Sequence, residues 1–172
     1  MGIRMDKLYT LLVLAAALAA CSIEADILKL PEGWHLPDRQ EANETWRNHI
    51  PGRGLSLTAD LDGNGKPDLA YILESEKDAT LGVWVYMNGD KRSGSLIEHG
   101  TLAAAAKTTG IRGAKPGVYP TPCGKADNCA AGQPKETVLK TAGIELFVNE
   151  GERQLIYWDD AAKGFLKAPI GG

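Results

Sequence analysis

The chain has 172 residues and a formal net charge of −3 with histidines neutral. That mildly acidic balance makes no electrostatic case for nucleic acid as a partner. The length suits one domain able to bury its own core, and 20 glycines with 9 prolines point to many turns between short strands.

The chain begins with an address. Arg4 and Lys7 form a basic region, and residues 8–20 form an apolar run. That run is too short to span a membrane and of the right length for a signal peptide over residues 1–20. It ends in Leu18-Ala19-Ala20-Cys21, which resembles the bacterial lipobox. The resemblance implies cleavage before Cys21 and a diacylglyceryl group on its sulfur, with further acylation (palmitate-type chains). The mature chain is then expected to be a lipoprotein, held to a membrane by its N-terminal lipid. Ser22 stands where an Asp would signal retention, so the same resemblance favours the outer membrane, with the domain facing the periplasm. Residues 21–29 read as the lipidated Cys and a short tether, and residues 30–172 as a single β-rich globular domain.

Within that domain, Leu30-Pro31-Glu32-Gly33-Trp34 reads as a turn. Pro37-Asp38 opens a helix. Asp38 is its cap, and Glu41, Ala42, Thr45 and Trp46 follow at helical spacing until Pro51-Gly52 ends it. Residues 54–59 and 68–73 read as strands, with a polar turn at 74–78. Residues 80–87 carry the strongest strand pattern. Leu81, Val83, Val85 and Met87 alternate with Gly82, Trp84 and Tyr86, so both faces are expected to be buried. Asn88-Gly89-Asp90 is a tight turn, and residues 95–99 form a weaker strand. Residues 101–107 are Ala-rich and suit a helical turn. Residues 110–134 are dense in Gly and Pro and read as one long loop, a candidate binding surface. Strands follow at 137–140, 143–148, 154–158 and 164–167, with a hairpin turn at Asn149-Glu150-Gly151-Glu152. The expected fold is α+β and mainly antiparallel β, with about seven short strands and one N-terminal helix.

Cys123 and Cys129 lie in a C-x₅-C pattern. In an exported chain this points to a disulfide, with a metal pair or two free thiols as alternatives; zinc spacing is lacking.

Between two β-type runs lies Asp60-Leu61-Asp62-Gly63-Asn64-Gly65-Lys66-Pro67-Asp68. Its oxygen side chains fall at loop positions one, three, five and nine, the ligand order of an EF-hand calcium loop. Asp60, Asp62, Asn64 and Asp68 would ligate through side chains, and Lys66 through its carbonyl at position seven. Gly63 and Gly65 permit the turns that wrapping requires. Three carboxylates this close would repel one another without a cation. Position twelve is Tyr71 rather than a bidentate Glu, and the flanks are strands. The loop therefore resembles the calcium loop of FG-GAP or VCBS-type repeats, a strand–loop–strand element of propeller blades. The resemblance implies a structural calcium ion, and a single copy argues against a full β-propeller.

No residue pattern demands catalysis. His35, His49 and His99 are scattered, no Ser sits in a nucleophile elbow, and Glu74, Glu76 and Asp78 are the acids nearest the loop. Trp34, Trp46, Trp84, Tyr86, Tyr157 and Trp158 read as core before they read as a recognition surface. Asp159 and Asp160 read as a turn. The expected function is a non-enzymatic binding or structural module of the envelope. It would recognise an envelope protein or cell-wall component and be braced by calcium. Two other readings are an inhibitor or immunity-type protein against an envelope toxin, and a calcium-dependent envelope hydrolase.

Overall fold

A computed structural model describes residues 27–100 and 106–171. The signal peptide, Cys21 and Ser22 lie outside those residues, as does most of the Ala-rich stretch at 101–107. The described chain is mainly antiparallel β, with eleven strands and two short helices. Its sheets do not close into a barrel or propeller.

The first sheet contains β1 (Trp34–His35), β2 (Ser56–Ala59), β3 (Asp68–Ser75), β4 (Leu81–Tyr86) and β5 (Gly94–His99). β3 is central. β4 lies along one of its edges, while β2 and β1 share the other, end to end: Ala59 pairs with Asp68 and Trp34 with Ser75. The second sheet runs β11-β10-β9-β6, with β6 at Thr109–Ala114, β9 at Gly143–Val148, β10 at Arg153–Asp159 and β11 at Gly164–Pro169. β7 (Gly117–Pro120) and β8 (Glu136–Leu139) form a separate two-stranded ribbon.

Strand alternation explains the core. Ala70, Ile72, Val83 and Val85 occupy one face of the first sheet. They meet Ile111, Ile144, Leu146 and Ile156 from the second, with Leu61 fully buried among them. Each buried Val, Leu or Ile side chain among them contributes about 1.5–3 kcal/mol on leaving water. A smaller cluster of Ala114, Leu139, Leu155 and Ile170 joins the ribbon to the second sheet, with Tyr119 and Tyr157 at its margin.

The strand at 80–87 is buried on both faces, as its pattern predicts. Val83 and Val85 face the core, while on the opposite side Tyr86 is fully buried. The N-terminal segment covers that side: the Tyr86 hydroxyl donates to the Lys29 carbonyl at 3.1 Å, and the Trp34 ring lies against Gly82. Lys29 is thus already docked, its N–H donating to the Lys91 carbonyl at 2.9 Å.

The strands number eleven rather than about seven, and the described helices two rather than one; two further expectations need correction. The helix opening at Asp38 is real but only four residues long: α1, Arg39–Ala42, with a complete capping box between Asp38 and Glu41. The chain then breaks into 3-10 turns at Thr45–His49 and Pro51–Gly54. The break turns Arg47 inward, where it is fully buried. Its Nε donates to the Glu41 carbonyl at 2.9 Å and its Nη1 to the Arg53 carbonyl at 3.0 Å. Its Nη2 donates to the Ala106 carbonyl and, at 2.8 Å, to that of Thr109. A continuous helix could not deliver one side chain to these four carbonyls.

Residues 110–134 are also not one long loop. They contain most of β6, all of β7, and α2 at Pro122–Ala126, which Thr121 caps. The Cys123–Cys129 disulfide closes the end of that helix, with an S–S distance of 2.02 Å. Gly110 shows why glycine belongs in β6: a Cβ there would lie 2.6 Å from the Phe147 ring, which rests across it from the paired position on β9.

Candidate metal centre

The acidic loop joins β2 to β3, and its ends are clamped by the Ala59–Asp68 pair. Gly63 and Gly65 have φ of 76° and 83°, conformations that favour glycine. Gly63 also has no room for a side chain, because a Cβ would lie 2.6 Å from Thr141 Cγ2.

Asp68 is fully buried. One of its carboxylate oxygens accepts the Leu61 N–H at 2.8 Å and the other the Asn88 N–H at 2.7 Å. Hydrogen bonds from neutral N–H groups to an ionised oxygen are among the stronger kinds, and these two fix the acid in place. Asp60 accepts the Gly65 N–H through Oδ2 at 2.8 Å. Its Oδ1 is buried and has no hydrogen-bond partner. Asp62 accepts the Asn64 N–H at 3.1 Å and the Asn64 side-chain amide at 2.8 Å. The loop thus converges Asp60, Asp62 and Asp68, with one potential ligand oxygen from each lying within 4.8 Å of the others.

Of the remaining predicted ligands, Asn64 is a direct neighbour of the cluster. Its amide bridges Asp62 and the Asn88 side chain, while its Oδ1 accepts the Lys66 N–H at 2.8 Å. Lys66 itself is exposed. The site also draws on two residues distant in sequence. Asn88, in the turn after β4, holds both Asp68 and Asn64. Thr141, between β8 and β9, donates its hydroxyl to the Leu61 carbonyl at 2.9 Å. No sequence signal marks Thr141. Asn88 stands out only as a turn residue, with φ of 56°.

The acids nearest in sequence are far in space. Glu74 lies next to the end of β3 opposite Asp68, roughly 20 Å along the strand. Hydrogen bonds from Thr80 and Ser75 hold the Asp78 carboxyl down at about 2, and Asp78 accepts the Thr80 N–H and hydroxyl within the turn. Among the histidines, His99 hydrogen-bonds Thr80 and packs edge-on against Trp34, and His35 contacts the Leu36 carbonyl. Asp159 and Asp160 form a turn: Asp159 accepts the Ala162 N–H and Asp160 accepts the Trp158 indole.

The cluster can hold a metal ion. All its donors are oxygens, three of them carboxylates, a set that suits a hard cation rather than zinc or copper. The unpartnered Asp60 oxygen is a lone-pair site that the protein itself leaves open. No protein-family model matches the chain, and no curated protein or solved structure is similar to it.

Proposed function

We propose that this protein is an envelope lipoprotein, anchored through Cys21, whose domain is a non-enzymatic binding or structural module braced by calcium. The observation that carries the calcium reading is the convergence of Asp60, Asp62 and Asp68 around a buried, unpartnered carboxylate oxygen. Asp60, Asp62, Asn64 and Asp68 would hold the ion through side-chain oxygens, with the Lys66 carbonyl completing the set. The ion would neutralise the mutual repulsion of the carboxylates. The protein's own contribution is to bring β2, β3, the Asn88 turn and the Thr141 turn to one point. The role is structural: the loop's acids and backbone tie β3 to the Asn88 turn and to Thr141.

Without the bidentate Glu of an EF-hand, the affinity falls in the extracellular range of about 10⁻⁴–10⁻³ M. The test is thermal melting of the full chain in detergent, with calcium against chelator. About 10 mM calcium should stabilise the domain by about 1.4–2.7 kcal/mol, a rise of roughly 5–10 °C. Asp60→Asn and Asp62→Asn should lose that response while still folding. An unchanged melt at this concentration overturns the calcium reading. The anchor is tested separately: fatty-acid labelling should require Cys21, and label retained in Cys21→Ser overturns it. The lipid, not the charged surface, is the membrane contact, and Ser22 favours the outer membrane.

A further inference from the structure

The outer face of the second sheet carries a cleft that the calcium reading does not use. We propose that it binds a small organic anion, a carboxylate or phosphate monoester borne on an apolar or planar body.

Cross-strand register builds the polar wall. Arg112 on β6 pairs with Glu145 on β9, and Arg153 on β10 pairs with Phe147 on β9. Glu145 is buried, 5% exposed. Its Oε2 accepts Arg112 Nε at 2.9 Å, and its Oε1 accepts Arg112 Nη2 at 2.8 Å and Arg153 Nε at 2.6 Å. Burial alone would raise the Glu145 carboxyl, but hydrogen bonds and charge from Arg112 and Arg153 outweigh it and hold the group below its usual range. One carboxylate therefore orients two guanidiniums, and the trio keeps a net positive charge. Both arginine side chains remain partly exposed, at 43% and 30%. Neither Nη1 has a hydrogen-bond partner among the described residues. Guanidinium forks of this kind match carboxylate and phosphate oxygens in geometry as well as charge.

The floor is aromatic. The Phe147 ring rests against Gly110, with the Arg112 guanidinium 5.2 Å from its ring centre. Trp46 meets Phe147 edge-on at 5.8 Å, its indole N–H fixed on the Lys107 carbonyl at 3.1 Å. Ile50 adds apolar wall, and the cleft holds about 450 Å³, within the usual range for small-ligand pockets. Glu150 lies on the exposed rim, where solvent and salt weaken its counter-charge. An Arg–Glu–Arg trio serving only to join strands would need neither the aromatic floor nor the open volume. The cleft lies at the Val148 end of β9, and Thr141 contacts the acidic loop just before the other end, so the two sites are independent.

The test is an NMR titration of the full chain in detergent with benzoate, phenyl phosphate, acetate and inorganic phosphate. Benzoate or phenyl phosphate should give saturable shifts at the amides of Arg112, Phe147, Val148 and Arg153 and at the Trp46 indole. The tighter of the two identifies the headgroup. Acetate and inorganic phosphate should bind at least about tenfold more weakly. Arg112→Gln should weaken binding by about tenfold or more, with shifts elsewhere unchanged. Should that variant fail to fold, Arg112→Lys keeps the charge without the fork and should also bind more weakly. No saturable shift up to about 20 mM of any probe, equal binding by the folded Arg112 variant, or equal affinity for the bare anions overturns the proposal.

Discussion

Arg47 and Asp68 are both fully buried, and the protein satisfies them differently. Among the described residues, Arg47 has no carboxylate as a hydrogen-bond partner. Four backbone carbonyls accept from its guanidinium, closing a socket from α1, the second 3-10 turn and the start of β6. Asp68 is met by two backbone N–H groups, yet it sits in a cluster with two further carboxylates, one carrying a buried oxygen without a partner. The socket around the cation meets each of its three nitrogens with a protein carbonyl. The socket around the anions does not meet every oxygen, and an added cation is what it lacks. A buried charge met at every nitrogen is architecture, whereas a buried charge cluster with an open lone pair is a place for something else.

The largest expected effect falls on the complete socket. Arg47→Ala should cost about 4 kcal/mol or more in denaturant unfolding, because several buried carbonyls lose their donor at once. Arg47→Lys should rescue little of this, since an ammonium cannot span four carbonyls as a planar fork does. A small loss in either variant would break the comparison. Asp68→Asn comes next, at about 2–3 kcal/mol, because an amide presents one acceptor oxygen to two N–H groups. The sharpening measurement is whether calcium response disappears with it. The smallest effect concerns acid. Glu145 is held below its ordinary value of 4.5 in the folded state, so its contribution is present above that value and is lost as pH falls through the lower folded one. Stability measured from pH 6 downward should decline across this window, and Glu145→Gln should flatten the decline.

Much of the frame was readable because its signals are local. The alternation of residues 80–87, the apolar run at 143–148, the Asp38 cap and the Asn88-Gly89 turn each state their geometry within a few residues. The acidic loop was readable for the same reason: its three converging acids lie within nine consecutive positions. β6 was hidden because Gly110-Ile111-Arg112-Gly113-Ala114 carries few strand-forming residues. Its strand character comes from pairing along β9 and from the Phe147 ring seated on Gly110. The Arg47 socket was hidden because two of its acceptors lie about 60 residues away. Thr45 and Trp46 fit a longer helix by spacing alone, whereas the structure ends that helix at Ala42 and buries the Arg47 guanidinium. Thr141 and the Arg112–Glu145–Arg153 trio likewise arise from register between strands, which no short stretch of sequence expresses.

The two-residue pairing of β1 on β3 has a mechanical consequence. The N-terminal segment is fastened by the Lys29 bonds to Lys91 and Tyr86 and by the Trp34–Ser75 and His35–Glu74 pairs. A pull applied at Ile27 would load these fastenings before it reached β3. They would open as a short zipper, uncovering Tyr86. The sandwich core and the acidic clamp between β2 and β3 would stay unloaded until they had opened.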